Sequence, residues 1–233
     1  MEPNSYLEFG RILKKMTTIV IADDHELVRE SIVSLLKEVP NFKLVGQCSN
    51  GRQLISLVSR LRPNVAVVDI SMPELNGIDT ARQIRKTNSS TRIIALSIYT
   101  DEAYIRDMIN AGISGYVVKC GAARDLIEAI NKGSRGKIYF SSEIADTAER
   151  IQNSKGKRRN VKFSIAERPL TQREREVLQL IGEGSSSVEI AAKLHIGETT
   201  VKSHRNNIMD KLNVRDVAGL TRQAIRLKLV HVE

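Results

Sequence analysis

Four short apolar runs in this chain each end on residues that carry chemistry. Thr17-Thr18-Ile19-Val20-Ile21-Ala22 is closed by Asp23 and Asp24, and Val65-Ala66-Val67-Val68 by Asp69. Arg92-Ile93-Ile94-Ala95-Leu96 is closed by Ser97, and Gly115-Tyr116-Val117-Val118 by Lys119. Runs of this length and composition read as strands buried on both faces, the pattern of parallel sheets. Parallel strands bring their C-terminal ends to one edge, where open α/β sheets hold ligands. The carboxylates, the hydroxyl and the ammonium are thereby predicted to converge, a set suited to a divalent cation and a phosphoryl group.

From Thr17 to Arg135 a strand-then-helix unit repeats five times. The spacing predicts strands at Thr17–Ala22, Lys43–Gln47, Val65–Asp69, Arg92–Leu96 and Tyr116–Val118. Between them apolar residues recur at helical period: Leu27, Ile32, Leu35 and Leu36; Leu54, Leu57, Val58 and Leu61; Ile78, Ala81 and Ile84; Tyr104, Ile105, Met108 and Ile109; Leu126, Ile127 and Ile130. Pro40, Gly51, Pro63, Asn76-Gly77, Gly112 and Gly115 punctuate the units. This order predicts an α/β domain, a five-stranded parallel doubly wound sheet with helices on both faces.

Charge divides the chain. The net +9 is carried almost wholly by residues 150–233, at +8, while residues 17–149 are neutral. A basic module beside a neutral one predicts a polyanionic partner for the basic module alone. No apolar run reaches the ~20 residues of a membrane span, and residues 1–16 carry no signal-peptide core. Cys48 and Cys120 lie outside any metal-ligand spacing and read as free thiols. A cytoplasmic protein without a membrane partner is expected.

The chemistry follows from the strand ends. A carboxylate such as Asp69 can attack a phosphoryl group and form an acyl phosphate. The negative oxygens around the phosphorus call for a cation, and Mg²⁺ prefers oxygen ligands. Asp23, Asp24, Asp69 and the backbone carbonyl of Ser71 are the expected metal ligands. Lys119 would neutralise one phosphoryl oxygen and Ser97 would hydrogen-bond another. Residues 17–136 resemble the receiver domain of bacterial two-component response regulators through Ile21-Ala22-Asp23-Asp24-His25, Val67-Val68-Asp69-Ile70-Ser71-Met72-Pro73-Glu74-Leu75-Asn76-Gly77, Ser97 and Gly115-Tyr116-Val117-Val118-Lys119. The resemblance implies a flavodoxin-like fold with Asp69 as phosphoacceptor and Asp23 and Asp24 as the metal pair. It further implies Ser97 and Tyr116 as switch residues and Lys119 as the ammonium. His25 is expected at the start of a helix, outside this set.

Residues 137–166 break the alternation and read as a linker, with a short helix from Ser141 to Ile151 and a basic stretch over Asn153–Asn160. Beyond it the pattern is helical. Thr171 and Glu174 have capping-box spacing, and further helices are predicted at Ser187–Leu194, Glu198–Leu212 and Asp216–Leu227, with a turn at His195-Ile196-Gly197. Val201, Ile208 and Leu212 give the third of these an inner face, and its basic and amide-rich remainder suits a recognition helix. Residues 167–233 resemble the LuxR-type helix-turn-helix domain of the NarL/FixJ response regulators through Leu170-Thr171-Gln172-Arg173-Glu174-Arg175-Glu176-Val177-Leu178, Glu189-Ile190-Ala191, Thr200-Val201-Lys202-Ser203-His204 and Lys211-Leu212-Asn213-Val214. The candidate DNA contacts are Thr199, Thr200, Lys202, Ser203, His204, Arg205 and Asn206. Ser185-Ser186-Ser187 departs from the family's usual Ser-Asn-Lys turn, removing an amide and a cation near the DNA backbone.

The resemblances imply a DNA-binding transcriptional regulator phosphorylated by a sensor histidine kinase, a homodimer on double-stranded DNA joined through its last helix, with RNA polymerase as a further partner. It is not expected to be an enzyme acting on a diffusible substrate. Two alternatives stay open: a Mg²⁺-dependent phosphatase with an aspartyl nucleophile, which would want an acid where Ser71 stands, and a DNA-binding regulator controlled by protein partners without phosphorylation.

Overall fold

The computed structural model describes residues 16–119, 122–154 and 170–230. The N-terminal extension up to residue 15, Cys120 and the basic stretch from residue 155 lie outside them.

All the predicted strands form, and they are parallel: β1 (Thr17–Ala22), β2 (Phe42–Cys48), β3 (Val65–Asp69), β4 (Arg92–Ser97) and β5 (Gly115–Val118). The sheet differs from expectation by a sixth member, β6 (Tyr139–Phe140), paired parallel to β5. Two residues are too few to show a period, so this edge strand was not legible as one. The order β2-β1-β3-β4-β5-β6 reverses direction at β1, which makes the ends of β1 and β3 the switch point of the sheet.

Successive strand residues point to opposite faces, and each face is closed by its own helices. Val20, Ala66, Val68, Ile93, Ala95 and Tyr116 pack with Leu54 and Val58 of α2 (Gly51–Leu61), Ile78, Ala81 and Ile84 of α3 (Gly77–Thr87), and Ile105 and Met108 of α4 (Glu102–Asn110). Ile19, Ile21, Val65, Val67, Ile94, Leu96 and Val117 pack with Ile32 and Leu36 of α1 (Glu26–Lys37) and Leu126, Ala129 and Ile130 of α5 (Ala122–Ser134). The span read as linker from residue 137 is therefore not all tether. After β6 comes α6 (Ala145–Ser154), whose Ala148 and Ile151 are buried in the first of these cores beside α4.

Among the described residues the C-terminal module has four helices: α7 (Gln172–Gly182), α8 (Ser187–Leu194), α9 (Glu198–Leu212) and α10 (Val217–Arg226). Thr171 and Glu174 form the expected capping box, and Ser186 and Glu189 form a second one at the start of α8. The serine turn that departs from the family pattern thus caps a helix. Val177, Leu178, Leu180, Ile190, Leu194, Val201, Ile208, Leu220 and Ala224 make a separate core. His195 and Asn213 end α8 and α9 in left-handed backbone conformation.

The two modules meet through polar groups. Arg175 donates through Nε to both carboxylate oxygens of Asp79 at 3.0 Å, Arg52 reaches Glu176 at 3.0 Å, and Gln83 reaches Glu176 at 3.0 Å. Burial pushes the Glu176 carboxyl up, but the hydrogen bonds from Arg52 and Arg173 outweigh it and hold the group below the usual glutamate range.

Candidate functional site at the C-terminal edge of the sheet

Asp23 follows β1 and Asp69 closes β3, so adjacent strands place the two carboxylates side by side. Both are buried, at 1% and 4% exposure, which is costly for charged groups unless they are compensated. Lys119, just past the end of β5, supplies the compensation. Its ammonium lies 2.9 Å from Asp23 Oδ2 and 3.2 Å from Asp69 Oδ2, and its main-chain N–H donates to the Ser97 carbonyl at 2.8 Å. Burial pushes the Asp69 carboxyl up to about 6; Lys119 opposes this and the neighbouring Asp23 reinforces it. Lys119 loses by burial, but Asp69 and Asp23 more than offset this and raise its pKa.

Asp23 also accepts from the N–H of His25 at 2.9 Å, and Asp69 from the N–H of Ile70 at 2.8 Å. Asp24 is exposed at the rim, 2.9 Å from His25 Nδ1. Asp23, Asp24, His25 and Asp69 offer ligand atoms that all lie within 4.8 Å of one another, an arrangement that could hold a metal ion. His25 stands at the N-cap of α1, as its position suggested, yet its ring faces the acids and joins this group. The sequence signal was the Asp-Asp-His run itself.

Ser97 and Tyr116 sit behind the acids. Ser97 is fully buried and its hydroxyl accepts from the Tyr99 N–H at 3.1 Å. Tyr116 is fully buried and turned inward, and its hydroxyl donates to the Tyr99 carbonyl at 2.6 Å. Burial holds its phenol above the usual tyrosine range. Ser71 is half-buried in the loop leaving Asp69, and its hydroxyl donates to the Tyr99 hydroxyl at 3.3 Å. Tyr99 is thus a hub that the sequence did not single out: it lies between strand and helix, where no period marks it. Gly77 has a requirement the Asn-Gly pair hinted at. A Cβ there would come within 2.1 Å of the Asp69 carbonyl oxygen, so only glycine lets α3 begin against the strand end.

In the C-terminal module, α9 presents Thr199, Thr200, Lys202, Ser203 and Asn206 exposed, while Val201 and Ile208 are buried. His204 and Arg205 are only half-exposed, and Arg205 Nε is out of solvent without a hydrogen-bond partner. Lys211, at the far end of α9, is tied to Glu174 at 2.7 Å. The exposed residues form a cationic and hydroxylic face suited to phosphates and base edges.

Among the described residues no helix is long and apolar enough to cross a membrane. A family model described as a response regulator receiver domain matches residues 19–131, and one described as bacterial regulatory proteins, luxR family, matches residues 168–224. The chain is 34% identical over 208 residues to the transcriptional regulatory protein DegU of Brevibacillus brevis, spanning 85% of this chain and 88% of that protein. It is 32% identical over 198 residues to the response regulator protein VraR of Staphylococcus aureus, spanning 85% and 91%. A structure of two RcsB dimers bound to two parallel DNAs aligns with a TM-score of 0.56 at 27% identity, covering 93% of this chain and all of that one.

Proposed function

The chain belongs to the two-component response regulators that join a receiver domain to a LuxR-type DNA-binding domain, and we propose that it accepts a phosphoryl group on Asp69 from a sensor histidine kinase to control DNA binding and transcription. The observation that carries this is the Lys119 ammonium held between two buried carboxylates at the switch point of a parallel sheet. Such a group offsets charge on the transferring phosphoryl oxygens, which is the main demand of phosphoryl transfer.

The nucleophile is a carboxylate oxygen of Asp69. It attacks the phosphorus of the kinase's phosphohistidine; the new O–P bond forms as the P–N bond breaks, and the imidazole leaves with a proton from solvent. With its carboxyl pushed up to about 6 by burial, Asp69 is anionic at pH 7.5 and ready to attack. The carboxylates of Asp23, Asp24 and Asp69 form the hard oxygen donor set that Mg²⁺ favours, and the Ser71 carbonyl would add a further ligand. Bound there, Mg²⁺ would supply positive charge to the phosphoryl oxygens. Ser97 then donates its hydroxyl hydrogen to the phosphoryl group, and Tyr116, already inward and packed beside it, is placed to hold that arrangement.

The output is DNA binding by residues 167–233, with Thr199, Thr200, Lys202, Ser203, His204, Arg205 and Asn206 on the reading helix. Val217, Thr221 and Ile225 follow one another at intervals of a turn on α10, and Val217 and Ile225 are 50% and 38% exposed. This stripe is the dimer face of a homodimer on double-stranded DNA. The receiver occupies residues 17–136 with β6 and α6 appended to it. The protein works in the cytoplasm beside RNA polymerase, and its only chemistry is the making and loss of its own acyl phosphate.

Intact mass after incubation with Mg²⁺ and acetyl phosphate tests the proposal. One phosphoryl adduct on the wild type and none on Asp69→Asn is the expected result. Absence of an adduct on folded wild type, with a control receiver labelled, would remove Asp69 as acceptor.

A further inference from the structure

The loop that leaves the phosphoacceptor strand is gripped by the DNA-binding domain. Gln179 of α7 is 1% exposed. Its Oε1 accepts from the main-chain N–H and from Nδ2 of Asn76, both at 3.0 Å. Its Nε2 donates to the Met72 carbonyl at 3.1 Å and to Glu183 at 2.8 Å. Glu183, one turn on, accepts from the Glu74 N–H at 3.0 Å. Two amide hydrogens and one carbonyl of the stretch from Met72 to Asn76 are thus satisfied from another domain, which a buried loop needs if it is to hold one conformation.

The other end of that loop is Asp69. The Gly77 N–H returns to the Ile70 carbonyl at 2.9 Å, closing residues 70–77 into one compact unit. A single residue step separates the Ser71 carbonyl from the Met72 carbonyl that Gln179 holds. A second connection leaves the same place: Ser71 donates to the Tyr99 hydroxyl, the Tyr99 ring stacks on Tyr104 at 4.4 Å, and Lys228, just past α10, sits 3.8 Å above the Tyr104 ring. The exposed face of α9 takes no part in these contacts, so the grip fixes where the domain stands and leaves the reading face open.

Resting on Asp69 as the phosphoacceptor, we propose that Gln179 is a positioning residue that holds the loop from Met72 to Asn76 in its unphosphorylated arrangement, so that phosphorylation of Asp69 and docking of the DNA-binding domain oppose one another through this amide. A phosphoryl group on Asp69 would draw residues 70–72, which carry the Ser71 carbonyl, toward the acids. In a closed loop that displacement passes to the Met72 carbonyl and the Asn76 N–H, which move out of register with Gln179. Coupling of this kind is reciprocal: whatever phosphorylation does to the grip, the grip does to phosphorylation.

The gripped loop is the poorer acceptor, so loosening the grip raises the fraction of chains ready to be labelled, and that supplies the test. Full-length wild type and Gln179→Ala are incubated with Mg²⁺ and acetyl phosphate, and the adduct is followed by intact mass over time. Gln179→Ala is expected to label about 5-fold faster, because the arrangement that accepts the phosphoryl group is then about 5-fold more populated. A role confined to the stability of α7 would not change a rate at an aspartate on the other domain. Should Gln179→Ala fail to fold by circular dichroism, Arg175→Gln weakens the same contact from its Asp79 end and is held to the same expectation. Equal labelling rates in variant and wild type would overturn the coupling while leaving Asp69 in place. No adduct on either protein would remove Asp69 as acceptor, and the coupling with it.

Discussion

Replacing Lys119 with methionine keeps the length of the side chain and removes its charge, which isolates what the ammonium does for the two acids. Asp23 and Asp69 have side chains only 1% and 5% exposed, and Lys119 is 17% exposed. Removing one partner of a buried ion cluster typically costs about 3–5 kcal/mol, because the remaining charge is left uncompensated. The partial solvation of Lys119 places the expected loss near about 3 kcal/mol, measured at pH 8 with a chelator present. Two conditions should shrink it. Without Lys119 the Asp69 carboxyl rises further above its ordinary value, so the folded protein takes up a proton more readily than the unfolded chain. The loss is then greatest above the folded-state pKa and fades as pH falls toward the ordinary aspartate range near 4. A divalent cation binds both proteins, but with no ammonium competing for the acids the variant binds it more tightly, and each tenfold gain in affinity returns about 1.4 kcal/mol of the loss. The chain has no tryptophan, so urea unfolding is followed by far-ultraviolet circular dichroism. A loss under about 1 kcal/mol in chelator, or one equal with and without Mg²⁺, would refute the view that Lys119 compensates the acids electrostatically.

Asp69→Asn should stabilise the metal-free protein, since the carboxyl is pushed from 3.8 up to about 6 and roughly 2–3 kcal/mol is lost on ionising it. Because the folded-state pKa is the raised one, the gain appears as pH rises through about 6 and vanishes below 3.8; thermal melts at pH 4 and 8 check this. Gly77→Ala should lower phosphorylation on Asp69 and destabilise the fold by about 2 kcal/mol or more, because the added methyl meets the Asp69 backbone and cannot move aside; labelling kinetics and urea unfolding measure the two effects. On α9, Asn206→Ala should relax preference at one base position by about 1–3 kcal/mol, whereas Lys202→Ala should weaken all sequences alike and reduce the salt slope by about 0.9. Fluorescence anisotropy with cognate and scrambled duplexes at several salt concentrations separates the two.

The sheet and its site were legible because one physical rule serves both. A run buried on both faces must be apolar, so Asp23, Asp69, Ser97 and Lys119 stand out where each run stops, and parallel pairing does the rest. Helices α8 and α9 were legible to the residue because serine and glycine punctuate them and Val201 and Ile208 repeat at helical spacing. What escaped has no period. β6 is two residues long, and the short helix expected from Ser141 to Ile151 forms as α6, but its docking into the receiver core through Ala148, Ile151 and the preceding Ile144 was not announced by so few apolar positions. Tyr99 offers its main-chain N–H to Ser97 and its carbonyl to Tyr116, and Gln179 bonds main-chain groups of Asn76 and Met72, contacts that no spacing announces. Arg205, which reads as a DNA contact from its place on α9, is half-buried by neighbours that only the packed helices bring to it.

The character of the domain contact says how it can work. The receiver cores and the core of the C-terminal module share no residue. The groups that join them include Arg52 and Gln83 with Glu176, Asp79 with Arg175, Asn76 and Met72 with Gln179, Glu74 with Glu183, Lys86 with Gln172 and Lys228 with Tyr104. Groups of this kind exchange a protein partner for water at a small net cost, unlike an apolar face, which must find another cover. A contact built from them can open without unfolding either side, and its balance can be tipped by the modest differential free energy that a phosphoryl group brings to the adjoining loop. An apolar seam of the same extent would have made one rigid body, and the state of Asp69 would have had little to act upon.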